Sequence, residues 1–323
     1  MFPGWLHMNV SKKKFSPLVS IIVPVYNVAP YLQKALDSLL GQTLQNIEVI
    51  CVDDKSEDNS LSLLRTYEKK DGRIKVLALD VNQGVSVARN EGMKMARGEY
   101  LGFLDPDDTV DLDFFENLWT RAAATGADIV KGLRKVIPSF GEAELSRLSS
   151  EEFSKKIAQN KMYFSYEFSV AIFKRSFLEK HKIDFPRGII VCEEIVFLLK
   201  AILLTNRVEV VSDKSYYYLF RREGSLNSVM WNDAKIKSSV LACNMMVDFI
   251  RDANLDLESY VIGFQDQMTR LLDYVFYKSS SPQMKQFIIS HSIEIYSRCK
   301  YPNEYAKTYP FYAEHLKGLL TKK

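Results

Sequence analysis

Three carboxylates stand within four residues at Asp105-Pro106-Asp107-Asp108, directly after the apolar run YLGFL that ends at Leu104. Like charges this close raise one another's proton affinity unless a cation is shared. A hard divalent ion such as Mg²⁺ or Mn²⁺ relieves the repulsion through oxygen ligands and takes further oxygens from a substrate phosphate. The competing use is a solvated turn capping a helix that starts near Leu112. A second acidic pair, Asp53-Asp54, follows the run EVICV. A carboxylate at such a strand end can accept hydrogen bonds from a base or a ribose; helix capping is again the alternative. Pro24-Val25-Tyr26-Asn27 ends the first apolar run, where Tyr26 offers a ring to stack on a base and Asn27 an amide to bond it. For Tyr26 the alternative is a place in the core. Asn82-Gln83-Gly84, with Ser86, Arg89 and Asn90, forms a third polar cluster. Gly84 permits close backbone approach, the helix N-terminus behind it favours anions, and Arg89 can reach a diphosphate or form a surface ion pair.

These residues need elements that bring them together. Val19 to Val25 (VSIIVPV) is a continuous apolar, β-branched run of the kind that forms a buried parallel strand. Tyr31 to Leu40 carries Leu32, Ala35, Leu36 and Leu39 at helical spacing. Glu48 to Asp53 reads as a strand, and Ser60 to Lys69 as a helix with N-cap candidates in Ser56 to Asn59. Ile74 to Ala78 is a strand. Ser86 to Ala96 is a helix closed by Gly98, and Tyr100 to Leu104 is a strand. Strands alternating with single helices imply right-handed crossovers and a doubly wound, mostly parallel α/β sheet flanked by helices. Ligands in such sheets bind beyond the carboxyl ends of the strands, which is where the polar clusters fall. Residues 132–165 read as loop with a helix, and 166–220 return to α/β texture. From Trp231 onward amphipathic stretches near 234–252, 257–278 and 283–298 predict a C-terminal helical extension.

The chain has 323 residues, 47% of them hydrophobic and 26% charged, with a net charge of +3. That balance excludes a disordered, collagenous or disulfide-stapled chain and does not call for a nucleic-acid partner. Four well-separated cysteines, Cys51, Cys192, Cys243 and Cys299, form no CxxC pair and read as reduced thiols of a cytoplasmic protein. His7, His181, His291 and His315 lie outside every motif. The best apolar run, Ile189 to Leu204, is broken by Glu193, Glu194 and Lys200 and cannot span a bilayer. The N-terminal residues lack a secretory pattern, and Met8 is an alternative start. Neither GxGxxG nor GxxxxGK[ST] occurs, so classical dinucleotide and P-loop readings lose support.

Taken in order, VSIIVPVYNVAPYL, QTLQNIEVICVDDKSEDNS, NQGVSVARNEG and ARGEYLGFLDPDD resemble the family-2 glycosyltransferases of the GT-A fold. The likeness runs from Leu18 to about Gly132 and resumes more loosely from Phe168 to Ser225. It implies a GT-A catalytic domain over 18–228, with a nucleotide-sugar half at 18–132 and an acceptor half at 133–228. Residues 1–17 would precede it and a helical extension at 229–323 would follow. It also implies a nucleotide-diphospho-sugar donor, with a UDP-sugar favoured, Mn²⁺ or Mg²⁺, and inversion at the anomeric carbon. By this resemblance Pro24, Tyr26, Asp53 and Asp54 hold the base, Asp107 approaches ribose or metal, Asp108 binds the metal and Asp105 assists.

The resemblance extends to FPRGIIVCEEIVF, where Glu193-Glu194 match the family's acidic pair before a Phe, here Phe197. Glu194 then stands at the general-base position, with Glu where the family usually has Asp, and Glu193 is able to share the role. Capping of the helix they begin is the alternative. In YYYLFRREGSLNS, Arg221 or Arg222 could touch the diphosphate, or belong to a solvated basic loop. The basic, aromatic segment 300–323 leaves two uses open. One is packing or an oligomer contact; the other is peripheral contact with an anionic membrane at its inner face. The expected acceptor is a hydroxyl of a glycan or lipid-linked glycan in bacterial surface-polysaccharide synthesis. The rivals are a catalytically inactive nucleotide- or glycan-binding module and a nucleotidyltransferase, though the latter would carry an early glycine-rich basic loop.

Overall fold

The structure, a computed structural model, describes residues 16–138, 168–220, 231–253 and 271–298, with Met268 and His315. In chain order the elements are β1 (Val19–Val25), α1 (Ala29–Leu40), β2 (Ile47–Asp53), α2 (Ser60–Lys70), β3 (Ile74–Ala78), α3 (Val85–Met95), β4 (Tyr100–Phe103), β5 (Thr109–Val110), α4 (Phe114–Thr125) and β6 (Ile129–Pro138). A 3-10 turn (Phe168–Val170) leads into β7 (Ala171–Lys174), α5 (Arg175–His181), α6 (Glu193–Leu203), β8 (Val208–Phe220), α7 (Asp233–Asp252) and α8 (Pro282–Arg298).

The sheet order is β3-β2-β1-β4-β7-β6-β8-β5. The β3-β2-β1-β4 block and the β6–β8 pair are parallel, whereas β7 runs antiparallel between β4 and β6, and β5 antiparallel to β8. The sheet is therefore mixed and mostly parallel, as the alternating pattern predicts. All seven residues of β1 are buried, as are all seven of β2, because helices cover both faces of this block. Each buried Val, Ile or Leu contributes about 1.5–3 kcal/mol over an exposed one. Chain order reverses between β1 and β4, so the crevice beyond those two strands is the topological switch point.

Two glycines let α3 and its exit approach the sheet. A Cβ on Gly92 would stand 2.6 Å from Ile22 Cγ2, and one on Gly98 would stand 2.5 Å from the Ser20 backbone nitrogen. This corrects the reading of Gly98 as a helix terminator. The C-cap of α3 is Ala96 in extended backbone, and Gly98 instead allows the chain to cross β1. The N–H of Gly98 donates to Ser20 Oγ at 2.7 Å.

Residues 132–138 also depart from the sequence reading. They continue β6 against β8, from Leu133 opposite Ser215 to Pro138 opposite Phe220, where a loop with a helix was expected. The pairing partner lies some eighty residues downstream, so local pattern carries no sign of it. The rest of that stretch, 139–165, lies outside the described residues. So do Arg221, Arg222, most of the predicted helix 257–278 and the segment 300–323 apart from His315. Residues 271–278 of that helix are helical.

A second apolar cluster joins the helical extension to α6. Ile189, Cys192 and Val196 are buried with Ile236, Val240, Cys243 and Met246 of α7 and with Ile288, Ile295 and Tyr296 of α8. Asn232 caps α7, its side-chain oxygen accepting from Lys235 N–H at 3.0 Å. Cys51, Cys192 and Cys243 are buried thiols. Among the described residues no helix is long and apolar enough to cross a membrane.

Candidate active site

The polar clusters meet at the carboxyl edge of β1, β2 and β4. Val25 is in register with Asp53, and Asp54 N–H donates to Val25 O at 2.8 Å, which sets the ends of β1 and β2 side by side. Pro24 is buried in β1, opposite Val52, and Tyr26 is 46% exposed just past the strand. Exposure of a large ring at a strand end leaves a face open to stacking and removes the core alternative for Tyr26. Asn27, at φ 50, is a hinge between loops: its Oδ1 accepts from Glu57 N–H at 2.8 Å and its own N–H donates to Ser56 Oγ at 3.1 Å.

Asp53 and Asp54 are both buried, and they act differently. Asp54 holds the loop before α3, accepting Gln83 N–H at 2.8 Å and Gly84 N–H at 2.7 Å on its two oxygens. Asp53 Oδ2 accepts Ser56 N–H at 3.1 Å, whereas Oδ1 is buried with no hydrogen-bond partner. Neither carboxylate caps α2, whose N-cap is Asn59. A buried carboxylate oxygen without a donor is costly, so the Asp53 oxygen is an acceptor in want of an N–H or O–H. Gly84 sits at φ 87, ψ 162, a conformation open essentially to glycine alone, and it is the N-cap of α3.

The acidic loop after β4 is a tight turn in which Asp108 N–H donates to Asp105 O at 3.0 Å. Asp108 is 1% exposed. The capping alternative fails here: β5 intervenes, and α4 has Asp113 as its N-cap. Arg89, on α3 and buried, reaches across to this loop. One guanidinium nitrogen lies 2.9 Å from Asp105 Oδ1 and another 2.8 Å from Glu193 Oε1. Its carbon lies 5.1 Å from the centre of the Phe185 ring. Burial works against the charge, and the Asp105 and Glu193 carboxylates overcome it, holding the guanidinium above its ordinary proton affinity. The sequence reading gave Arg89 to the diphosphate or a surface pair. The structure instead makes it a buried link between the acidic loop and the acidic pair.

Glu193 and Glu194 open α6 behind Cys192, a non-glycine residue at φ 70. Such backbone costs about 1–3 kcal/mol and persists where the surroundings dictate it. Both glutamates lie in the first helical turn, where the helix dipole favours negative charge. Burial first, then the charge and hydrogen bond of Glu193, raise the Glu194 carboxyl well above the usual carboxylate range. Burial likewise pushes the Cys192 thiol up to about 12, so it stays protonated and inert.

The donor set of the acidic loop can be tested against a divalent ion. Among the described residues no three His, Cys, Asp or Glu side chains stand close enough to hold a metal by themselves. Asp105 pairs with Arg89, and Asp107 and Asp108 are the other two carboxylates of the loop. Mg²⁺ and Mn²⁺ commonly use one or two carboxylates and complete their shell with water and substrate phosphate. The residues fit an ion completed by a diphosphate and not a cage built by protein alone.

Sequence reasoning placed Asn90 in the third polar cluster without giving it a role, and missed Ser238 altogether. Asn90 bonds the Phe185 backbone in both directions, Nδ2 donating to Phe185 O at 2.8 Å and Oδ1 accepting Phe185 N–H at 2.9 Å. Its place next to Arg89 was the available signal. Ser238 Oγ accepts Ile190 N–H at 2.9 Å from α7, and nothing in the sequence marks it.

Known proteins resemble this chain in sequence and in fold. A family profile described as Glycosyl transferase family 2 matches residues 20–182. The poly(ribitol-phosphate) beta-glucosyltransferase of Bacillus spizizenii is 30% identical over 299 residues, covering 84% of this chain and 47% of that protein. An uncharacterized glycosyltransferase of Bacillus subtilis, EpsJ, is 35% identical over 210 residues, covering 62% of this chain and 61% of that protein. The chain thus spans about half to three fifths of the length of these relatives. Among solved structures, Staphylococcus aureus TarS 1-349 in complex with UDP-GlcNAc superposes with a TM-score of 0.66 at 24% identity, covering 87% of this chain and 81% of that one.

Proposed function

The chain belongs to glycosyl transferase family 2, and from that premise we propose that it transfers a sugar from a UDP-sugar to a hydroxyl of a glycan or lipid-linked glycan acceptor, with inversion. The observation that carries the proposal is the Arg89 bridge, which draws the acidic loop through Asp105 and the acidic pair through Glu193 into one site. A single displacement needs the donor side and the acceptor side close together, and in this reading the same buried cation holds both.

In this reading the base lies at the end of β2. Asp53 Oδ1 accepts the N–H of the pyrimidine, and the exposed Tyr26 ring stacks on its face. The loop that Asp54 holds by the N–H groups of Gln83 and Gly84 lies before the N-terminus of α3, where an anion is favoured. Asp107 and Asp108 would hold the divalent ion, which when bound supplies positive charge to the departing diphosphate. Glu194 takes the proton of the acceptor hydroxyl. The acceptor oxygen then bonds to the anomeric carbon from the face opposite the diphosphate, and the bond from that carbon to the diphosphate oxygen breaks. A carboxyl whose proton affinity is raised above the ordinary range is a stronger base once ionised, which suits this step. Glu193, ion-paired to Arg89, orients the turn and shapes the charge around Glu194. The name of the Bacillus spizizenii relative, a poly(ribitol-phosphate) beta-glucosyltransferase, supports a polymeric acceptor, and the C-terminal helices would frame the acceptor side.

The test is a donor panel. The protein is incubated with UDP-, GDP-, dTDP- and CMP-sugars, with Mn²⁺ or with chelator, and nucleotide release and thermal shift are read. Release from the UDP-sugar that needs Mn²⁺ and is lost in Asp108→Ala supports the proposal. Absence of release and of any nucleotide stabilisation overturns it. Stabilisation without release, even when oligosaccharide acceptors are added, favours a binding module on the same fold.

A further inference from the structure

The segment that delivers the acidic pair is held in an unusual backbone at both ends. Gly188 has φ 77 and Cys192, immediately before Glu193, has φ 70. A cysteine does not choose that conformation by itself, so something must impose it. The element bonded to this segment is α7, outside the residues that match the family profile.

Ser238 of α7 is 5% exposed and faces this segment. Its Oγ accepts the Ile190 N–H at 2.9 Å and the Val191 N–H at 3.3 Å, and it donates to Val191 O, also at 3.3 Å. One hydroxyl thereby uses its donor and both acceptor sites on the backbone of two adjacent residues. The next residue, Ser239, behaves differently: its hydroxyl donates to Lys235 O of its own helix at 3.1 Å and lies 3.8 Å from Cys192 Sγ. Ile189, Cys192 and Val196 are buried against Ile236, Val240 and Cys243, so the hydroxyl, itself 5% exposed, works at the edge of an apolar contact.

We infer that Ser238 is a positioning residue for the acidic pair: it sets the 190–191 backbone, and so the start of α6 from which Glu193 and Glu194 project. The inference rests on the transferase reading. It makes the helical extension part of the machinery that aims the base, since a small displacement of a catalytic group is enough to cost about a hundredfold in rate. Ser238 touches neither donor nor acceptor side chains, so its loss acts on turnover and not on nucleotide affinity.

The experiment compares wild type, Ser238→Ala, Ser238→Thr and Ser239→Ala in Mn²⁺ with the UDP-sugar that wild type cleaves. It reads kcat, the Kd for UDP by calorimetry, and amide exchange at Ile190 and Val191. Expected are a kcat reduced at least tenfold in Ser238→Ala, UDP affinity within twofold of wild type, and at least tenfold faster exchange at the two amides. Ser238→Thr, which keeps the hydroxyl, recovers most of the rate, and Ser239→Ala resembles wild type. If Ser238→Ala melts below the assay temperature, Ser238→Cys carries the same comparison, because a thiol fills the space but accepts N–H bonds weakly. An unchanged kcat in an active enzyme overturns the inference, as does a loss of UDP affinity in step with kcat or an equal loss in Ser239→Ala. A wild type that cleaves no donor of the panel overturns the transferase reading itself, and the two failures are thereby told apart.

Discussion

Arg89 donates to Glu193 Oε1 at 2.8 Å across 104 residues of chain. The same guanidinium holds Asp105, so one side chain of α3 joins two parts of the site that share no local sequence. Both Arg89 and Glu193 have side chains less than a tenth exposed, which makes the pair a buried one. Removing one member of a buried pair leaves the other charge uncompensated, at about 3–5 kcal/mol. Arg89→Ala is expected to lower the unfolding free energy by about 3 kcal/mol in urea melts and to abolish turnover. Arg89→Lys keeps a charge but not the fork that spans two carboxylates, and is expected to recover only part of the stability. Equal stability of Arg89→Ala and wild type would show that the bridge contributes nothing to the fold.

Asp53→Asn tests the base contact by itself. One side-chain oxygen already serves Ser56 N–H at 3.1 Å, and an asparagine carbonyl can keep that bond. The other oxygen, now without a partner, becomes an amide NH₂ that cannot accept from a pyrimidine N–H. UDP affinity is expected to fall about tenfold, which is about 1.4 kcal/mol and close to the lower end for one hydrogen bond to a charged group. The melting temperature in the absence of nucleotide is expected to stay within a few degrees. Calorimetric titration of UDP decides it, and unchanged affinity would remove Asp53 from the base site.

The parallel half of the fold was legible because each of its strands and helices declares itself within a dozen residues. Val19–Val25 and Ile74–Ala78 begin and end where apolar pattern and breakers put them. The carboxylates were legible for the same reason, since they cluster beyond strand ends. What they do there was not. Asp54, Asn27 and Arg89 read as ligand contacts, and the structure gives each of them long-range protein partners that no spacing reveals. β6 was missed because its pairing with β8 is long-range. Ser238 was invisible because a serine on an amphipathic helix is ordinary until the backbone it meets is known.

Gly84 offers a test of the loop that Asp54 holds. A Cβ there would meet nothing within 4 Å, so the cost of Gly84→Ala comes from φ 87 alone and not from a clash. That cost is about 1–3 kcal/mol. The chain can relieve it by releasing the N–H bonds to Asp54, which dismantles the approach to the N-terminus of α3. The substitution is expected to lower the melting temperature, to weaken UDP binding and to leave uridine binding unchanged, as read by titration of both ligands. A parallel loss of uridine would place the effect on the base site and not on the diphosphate.

The Glu194 carboxyl links stability and turnover to pH in opposite directions. Burial and the neighbouring Glu193 raise its folded-state proton affinity well above the ordinary value of 4.5. Between pH 4.5 and the folded-state pKa, the native protein holds a proton that the unfolded chain has released. The unfolded state then binds fewer protons, so stability falls as pH rises, by up to about 1.4 kcal/mol per pH unit for one proton. The contribution is fully present below pH 4.5 and is lost as pH rises through the raised pKa. A glutamine at this position has no proton to lose. The difference in unfolding free energy between wild type and Glu194→Gln is therefore expected to slope downward from pH 4.5 toward neutrality. Turnover moves the other way, because the base acts only after giving up that proton, and Glu194→Gln is expected to lose about 10²–10⁴ in kcat where wild type is fully active, the gap narrowing as pH falls. Urea melts and initial rates collected over the same pH series check both halves. A flat stability difference would mean that Glu194 titrates as an ordinary surface carboxyl, and the base would then have to be sought in Glu193.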